Sequence, residues 1–335
     1  MVQPFVPVRR RTGDPDGPAE CAAPPGRDIG VLGPLLAPFA TDPAVTDLLL
    51  DAAGRLWIDD GAGLRIASGW HPLDPVDARR LAVSTIAAGG RHLDDAAPCV
   101  DVRLPGGVRA HAVLPPVSTG GALLSIRIAR AAPWRLDDLV RLGMVDDAAA
   151  ERLRAAVTAR RNLLICGPAG SGKTSLLASL LAEAPGTERI VTVEDVAELR
   201  IDHPHVVGLE ARQANGDGAG ALVLARLVRE ALRMRPDRLV LGECRGAEIA
   251  ELLTALNSGH DGGAGTVHSA GAAGLGARLE ALGALAGLPP DAPARQVRAA
   301  IDVVVHLGRV DGRRRLIGIG RLDPDDGPLR VIDAA

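Results

Sequence analysis

Gly167-Pro168-Ala169-Gly170-Ser171-Gly172-Lys173-Thr174 fits the pattern G-x-x-x-x-G-K-[ST], a loop that wraps phosphate groups. Leu163-Leu164-Ile165-Cys166 before it reads as a short buried strand. Ser175 to Glu183 after it reads as a helix, with Leu176, Leu177, Leu180 and Leu181 as its apolar residues. Strand, glycine loop and helix together aim backbone N–H groups and a helix N-terminus at a polyphosphate. Gly170 and Gly172 lack a Cβ, so the backbone can curl closely around oxygen atoms. The candidate nucleotide-binding residues are Ala169, Gly170, Ser171, Gly172, Lys173, Thr174 and Ser175. Lys173 offers a point charge to the β- and γ-phosphates and Thr174 a hydroxyl to Mg²⁺, so ATP and Mg²⁺ are the expected cofactors.

Lys173 is the only lysine in the chain; the other 37 of its 38 basic residues are arginine. A composition that avoids lysine keeps one where a compact ammonium suits a phosphate nest better than a planar guanidinium. The chain of 335 residues is long enough for roughly two domains. Its core must be aliphatic, because there is no tyrosine and there are two phenylalanines and three tryptophans. A net charge of −3 gives no global pull toward nucleic acid, and so few aromatics leave few stacking platforms for single strands. No nucleic-acid partner is expected. Cys21, Cys99, Cys166 and Cys244 are widely spaced and suggest neither a zinc site nor a disulfide framework. No apolar run approaches the length needed to cross a bilayer, and the N-terminal arginines precede no apolar stretch of a signal peptide. A cytoplasmic protein is expected.

Along the chain, residues 1–27 are proline- and glycine-rich without periodicity and read as a disordered tail. Residues 28–130 read as a small α+β domain. It opens with an apolar stretch from Asp28 to Ala40 that suggests a docking helix broken by Pro34 and Pro38. Strands are expected over Thr46–Leu50, Leu56–Ile58, Leu64–Ala67, Val100–Leu104, Val108–Val113 and Leu123–Ile128. Between them Asp74–Ala88 reads as a helix with Val76, Leu81, Val83 and Ile86 toward the core. Residues 131–143 read as a loosely packed linker. Residues 144–335 then alternate helices (146–159, 219–234, 247–256) with strands (189–193, 239–241, 266–268), which predicts an α/β unit with a parallel sheet. Ile301–Leu307, Asp311-Gly312 and Leu316–Ile319 read as a closing hairpin.

Hydrolysis needs a group that orients or deprotonates water. Arg235-Pro236-Asp237-Arg238-Leu239-Val240-Leu241-Gly242-Glu243 is an apolar strand ending in an acid, and ligands of open α/β sheets bind at such strand ends. Glu243 is therefore the candidate catalytic carboxylate, with a helix-capping role as the alternative. Glu194, after Ile190–Val193, falls at an equivalent strand end near the metal or the water, or is simply a polar strand end. His268 ends the short Thr266-Val267 strand behind a glycine-rich loop and is the third candidate, as a sensor of the γ-phosphate; a structural histidine is the alternative.

These motifs occur in one order: the phosphate loop, Val193-Glu194-Asp195, Gly242-Glu243-Cys244-Arg245-Gly246, and Ser258-Gly259-His260-Asp261-Gly262 through His268. In that order the chain resembles the type II/IV secretion-system ATPases, most of all the CpaF-like branch of tight-adherence (Tad, Flp-type) pilus assembly. Gly90-Arg91-His92-Leu93-Asp94, Asp101–Pro105 and Ser125-Ile126-Arg127 resemble that branch as well. The resemblance implies a hexameric ring of subunits, each with an N-terminal domain hinged to a RecA-like ATPase domain. It also implies nucleotide between the two domains, His260 and His268 as the paired histidines, and arginine fingers among Arg103, Arg109 and Arg127. An inner-membrane platform protein is the implied partner, so the chain is expected to lie peripherally on the cytoplasmic membrane. A nucleotide-dependent assembly switch with little hydrolysis and a RecA-like DNA motor are the alternatives. No LSGGQ-like signature of an ABC-type ATPase is found.

Overall fold

The computed structural model describes residues 29–333 except 61–62, 129–132, 213–219, 290–291 and 325–328. The tail expected over 1–27 lies outside the described residues. Among the described residues, the strands form two sheets.

The first is antiparallel. It contains β1 (Asp47–Leu50), β2 (Leu56–Asp59), β3 (Leu64–Ile66), β4 (Cys99–Leu104), β5 (Val108–Val113) and β6 (Leu123–Arg127), in the order β3-β2-β1-β6-β5-β4. The stretch expected as one docking helix is instead two 3₁₀ turns flanking the short α1 (Gly33–Leu36), which bury Leu32, Leu36 and Ala40 against this sheet. Helix α2 (Pro75–Ala88) covers the same face. Asp74 caps it by accepting from the Val76 and Asp77 amides (2.9 and 2.8 Å). Val76 was expected in the core but is exposed. The buried residues are Ala78, Ala82, Thr85 and Ile86, with Leu81 and Val83 partly buried, and Val76 lies on the face of α2 opposite them.

Strict alternation in β4, β5 and β6 decides what the outer face carries. Val100, Val102, Leu104, Val108, Ala110, Ala112, Leu124 and Ile126 point inward. Arg103, Arg109 and Arg127 point outward, and the register sets Arg103 opposite Arg109 and Arg109 opposite Arg127. The three arginines singled out from the sequence form one row.

The second sheet contains β7 (Leu163–Gly167), β8 (Ile190–Glu194), β9 (Val206–Glu210), β10 (Arg238–Cys244), β11 (Ala264–His268), β12 (Val303–Val310), β13 (Arg313–Leu322) and β14 (Val331–Asp333). Its order is β14-β13-β12-β7-β11-β10-β8-β9; β12 through β9 run parallel, and β13 and β14 are antiparallel additions. Strands β7, β8 and β11 are almost wholly buried because helices lie on both faces. Leu163, Ile165, Ile190 and Val240 face a core built with α3 (Leu136–Arg141), α4 (Asp147–Thr158) and α5 (Lys173–Leu181). Leu164, Cys166, Val191, Val193, Leu239 and Leu241 face α6 (Leu224–Leu232), α7 (Glu248–Asn257), α8 (Leu275–Leu285) and α9 (Ala292–Ala300).

Several expectations change. The segment read as a loose linker packs tightly from Leu136 onward, since α3 buries Leu136 and Leu139 in the second core. The helix expected from Ala219 begins at Leu224, and β9 and β14 add edge strands that were not expected. Strand β10 continues through Cys244, so Glu243 lies inside it rather than after it.

Buried Arg238 knits four elements at the amino edge of this sheet. Its Nε meets Glu188 Oε2 at 2.5 Å, its Nη2 donates to Val157 O at 2.8 Å, and its Nη1 donates to Gly262 O at 3.4 Å. Arg160 holds the other oxygen of Glu188 at 2.8 Å. Removing one partner of a buried pair costs about 3–5 kcal/mol. Arg238→Ala is expected at the low end of that range, because Arg160 still pairs with Glu188. The drop in urea midpoint measures it.

Candidate active site

The phosphate loop joins β7 to α5, and three of its glycines take left-handed conformations: Gly167 (φ 151°), Gly170 (φ 69°) and Gly172 (φ 95°). A Cβ on Gly172 would come within 2.8 Å of Met144 Cε. The helical ladder opens with the Leu176 amide donating to Gly172 O at 2.9 Å, so the amides of Lys173 to Ser175 stand outside it. Ser171 is fully buried and its Oγ has no hydrogen-bond partner.

Parallel register brings the other candidates to the same edge. His268 lies beside Gly167, Glu194 beside Glu210, and Val267 beside Cys244. A bulge in β10 places Gly242 and Glu243 opposite the single residue Thr266, whose Oγ1 donates to Gly242 O at 2.6 Å. Bulges re-aim side chains. This one turns Glu243 out of the apolar face shared by Leu239, Leu241 and Cys244.

Lys173, His268, Glu243 and Arg245 then form a chain. Lys173 Nζ donates to Gly167 O (3.0 Å) and Pro168 O (2.9 Å) and lies 3.2 Å from His268 Nδ1. An ammonium has only donors, so Nδ1 accepts and the ring proton sits on Nε2. Nε2 is 2.8 Å from Glu243 Oε1, an ion pair only when the ring is protonated, and lies outside hydrogen-bond alignment, so Oε1 stays buried without a hydrogen bond. Arg245 Nη2 holds Glu243 Oε2 at 2.8 Å. Burial and the Lys173 charge lower the His268 pKa, which agrees with a neutral ring. Burial also lowers that of Lys173 against the pull of Glu243. Burial works to raise Glu243, but Arg245, His268 and Lys173 outweigh it and hold the carboxyl below its ordinary range.

Glu194 is buried, and its Oε1 accepts from the backbone amides of Glu198 and Leu199 (both 2.9 Å). A Cβ on Gly242 would stand 2.6 Å from Glu194 Cγ. The glycine before Glu243 thus makes room for an acid arriving from β8. Thr174, Glu194, Glu243, Arg245, Arg109 and Glu198 all line one cavity of about 70 Å³. His260 is not among them: it precedes β11, at the opposite edge of the sheet, and its Nδ1 lies 3.2 Å from Ala255 O.

The arginine row meets the second sheet through carboxylates. Arg109 Nη1 lies 2.6 Å from Glu198 Oε1, Arg127 Nη1 3.5 Å from the same oxygen, and Arg103 Nη1 2.7 Å from Glu210 Oε2. Arg103 and Arg109 also line a larger cleft of about 1110 Å³ with Asp195, Val196 and Glu210. Sequence reasoning missed Glu198 and Glu210, which no local pattern marks. It quoted Arg245 inside a motif without giving it a role.

The family profile described as "Type II/IV secretion system protein" matches residues 40–315. The chain belongs to this family. A Mycobacterium tuberculosis protein named for conjugal transfer is 49% identical over 310 residues, covering 90% of this chain and 87% of its own. The type IV secretion system protein PtlH of Bordetella pertussis is 36% identical over 315 residues, covering 85% and 92%. The α/β fold is that of the pilus retraction motor PilT, solved with bound ADP, at a TM-score of 0.59 and 19% identity over 92% of this chain and 83% of that one. The family match runs from before β1 to the start of β13, so it takes in the arginine row as well as the phosphate loop. No described helix is long and apolar enough to cross a membrane.

Burial raises the Glu194 pKa above that of a free carboxyl. A group whose folded pKa is raised adds stability below its unfolded pKa and loses it as pH rises through the folded one. At neutral pH the ionised carboxylate therefore opposes folding. Glu194→Gln, which keeps an acceptor for the Glu198 and Leu199 amides, is expected to melt higher than wild type at pH 7.5, with the gain vanishing toward pH 4. Thermal melts at the two pH values measure it.

Proposed function

We propose that this chain is an ATP-hydrolysing motor of a secretion or pilus machine. The observation that carries the reading is the contact chain from Lys173 Nζ through His268 to Glu243 Oε1. It joins the phosphate-binding charge to the acid that handles water. The residues fit Mg²⁺-ATP on three counts: the glycine cradle a Cβ would fill, the amides ahead of Leu176, and the orphaned Ser171 Oγ and Glu243 Oε1. Lys173 would exchange its loop carbonyls for phosphate oxygens. Thr174 would hold Mg²⁺, which neutralises phosphate charge when bound. No group of three or more acidic, histidine or cysteine residues among those described can hold a metal alone.

Glu243 stays ionised and takes a proton from the attacking water. The water oxygen bonds to the γ-phosphorus as the bond to the β-phosphate's bridging oxygen breaks, and ADP leaves with that oxygen. His268 orients Glu243, Glu194 fixes the 195–199 loop, and Arg109, which lines the same cavity as Thr174 and Glu243, meets the developing charge. Arg103 and Arg127 stand beside it as further candidate fingers. The two sheets act as the hinged domains expected over 28–130 and 144–335, and their closure on nucleotide turns hydrolysis into rigid-body motion.

The finer reading is a CpaF-like motor of tight-adherence pili. It works as a hexamer, peripheral to the cytoplasmic membrane, against an inner-membrane platform protein. The ordered motifs support this. The names of the relatives favour a second reading, a motor of a conjugation or type IV secretion channel. Turnover by the full chain with each platform protein separates the two.

Glu243→Gln is expected to lower turnover by about 10²–10⁴-fold, the worth of a general base, while ATP binding persists. Because His268 must be neutral to accept from Lys173, activity is expected to hold at pH 7 and to fall only below the ordinary imidazole value of 6.5. A profile already falling between pH 8 and 7 would contradict this.

A further inference from the structure

The hairpin of β12 and β13 carries arginines directly opposite one another: the register pairs Arg309 with Arg314. Like charges facing each other across a strand pair are destabilising. Among the described residues, neither forms an ion pair with a carboxylate. Both reach the phosphate loop instead. Arg309 Nη2 lies 3.5 Å from Gly170 O, and Arg314 Cδ lies 3.6 Å from where a Cβ of Gly172 would stand. Burial, Arg309 and Arg127 all lower the Arg314 pKa, and only Asp59 pulls the other way. The loop against which they stand contains the fully buried, unpartnered Ser171 Oγ. Uncompensated cations gathered over an oxygen-binding loop call for an anion.

The sheet order says which part of the anion they meet. Strand β12 flanks β7 on one side, while β11 and β10, with His268 and Glu243, lie on the other. The transferred phosphate must lie between Lys173 and Glu243. The remaining phosphates run away from Glu243, toward the hairpin. We infer that Arg309 and Arg314 are a guanidinium clamp for the non-transferred phosphates of the nucleotide, those that ATP and ADP share. This rests on the reading of the loop as an ATP site. It goes beyond it by assigning a second set of phosphate ligands that come from the β12–β13 hairpin of the same chain and act on both substrate and product.

The test is calorimetric titration of the full chain with Mg-ATP and with Mg-ADP. Arg309→Ala and Arg314→Ala are each expected to weaken both nucleotides by the same factor, roughly tenfold for the loss of a charge-assisted hydrogen bond. Arg309→Lys should recover part of the loss. Without nucleotide, Arg314→Ala should melt no lower than wild type, because it relieves repulsion; a merely structural arginine would give the opposite. Unchanged affinity for both nucleotides in both variants overturns the clamp, as does a loss confined to ATP, which would place the arginines at the γ-phosphate. Wild type that binds neither nucleotide overturns the ATP-site reading itself, and is distinct from wild type that binds while the variants bind equally well.

Discussion

One ammonium group organises the site. Lys173 Nζ sits beneath its own loop, held by two loop carbonyls and the ring of His268. A buried charge is costly unless it is paired, and here the pairing is supplied by strand ends rather than by the loop alone. His268 and Glu243 reach it because β11 and β10 run parallel to β7 and finish at the same edge. Everything that sets the sheet's register, including the bulge at Gly242-Glu243, therefore sets the distance from the Lys173 ammonium to the Glu243 carboxylate.

A second constraint crosses between the sheets. The row Arg103–Arg109–Arg127 would repel itself if left alone, and Glu210 and Glu198 neutralise it from the other sheet. Exposed and half-exposed ion pairs of this kind contribute about 0–1 kcal/mol each. Such contacts orient the first sheet over the site without locking it. The 195–199 loop adds a mechanical link, because Glu194 grips the backbone of the residue that Arg109 and Arg127 hold. These contacts tie the first sheet to the strand edge on which Glu243 sits.

Much of this was legible in the sequence. The loop, its strand and helix, Glu243, Glu194 and His268 were readable because fully buried parallel strands are short apolar runs, and their chemistry lies at the ends. Period-two alternation placed β4, β5 and β6. What escaped had no local signature. Strand β9 is only half-buried, and Gly208 interrupts its short apolar run of Val206, Val207 and Leu209. Val76 looked like core because it is apolar, although it lies on the face of α2 opposite Ala78, Ala82 and Ile86. Leu136 and Leu139 were hidden behind Pro133, which read as a linker. Glu198, Glu210, Arg309 and Arg314 depend on contacts between segments more than 70 residues apart. In a chain whose basic residues are almost all arginine, no single arginine stands out.

The lone lysine offers a direct measurement. Reductive methylation of the full chain, read by mass spectrometry, has one side-chain amine to report. Mg-ATP and Mg-ADP at saturation should slow labelling of Lys173 while the N-terminal amine labels as before. Labelling of Lys173 that is unaffected by either nucleotide would contradict the central claim, that this ammonium is the point at which the chain holds a polyphosphate.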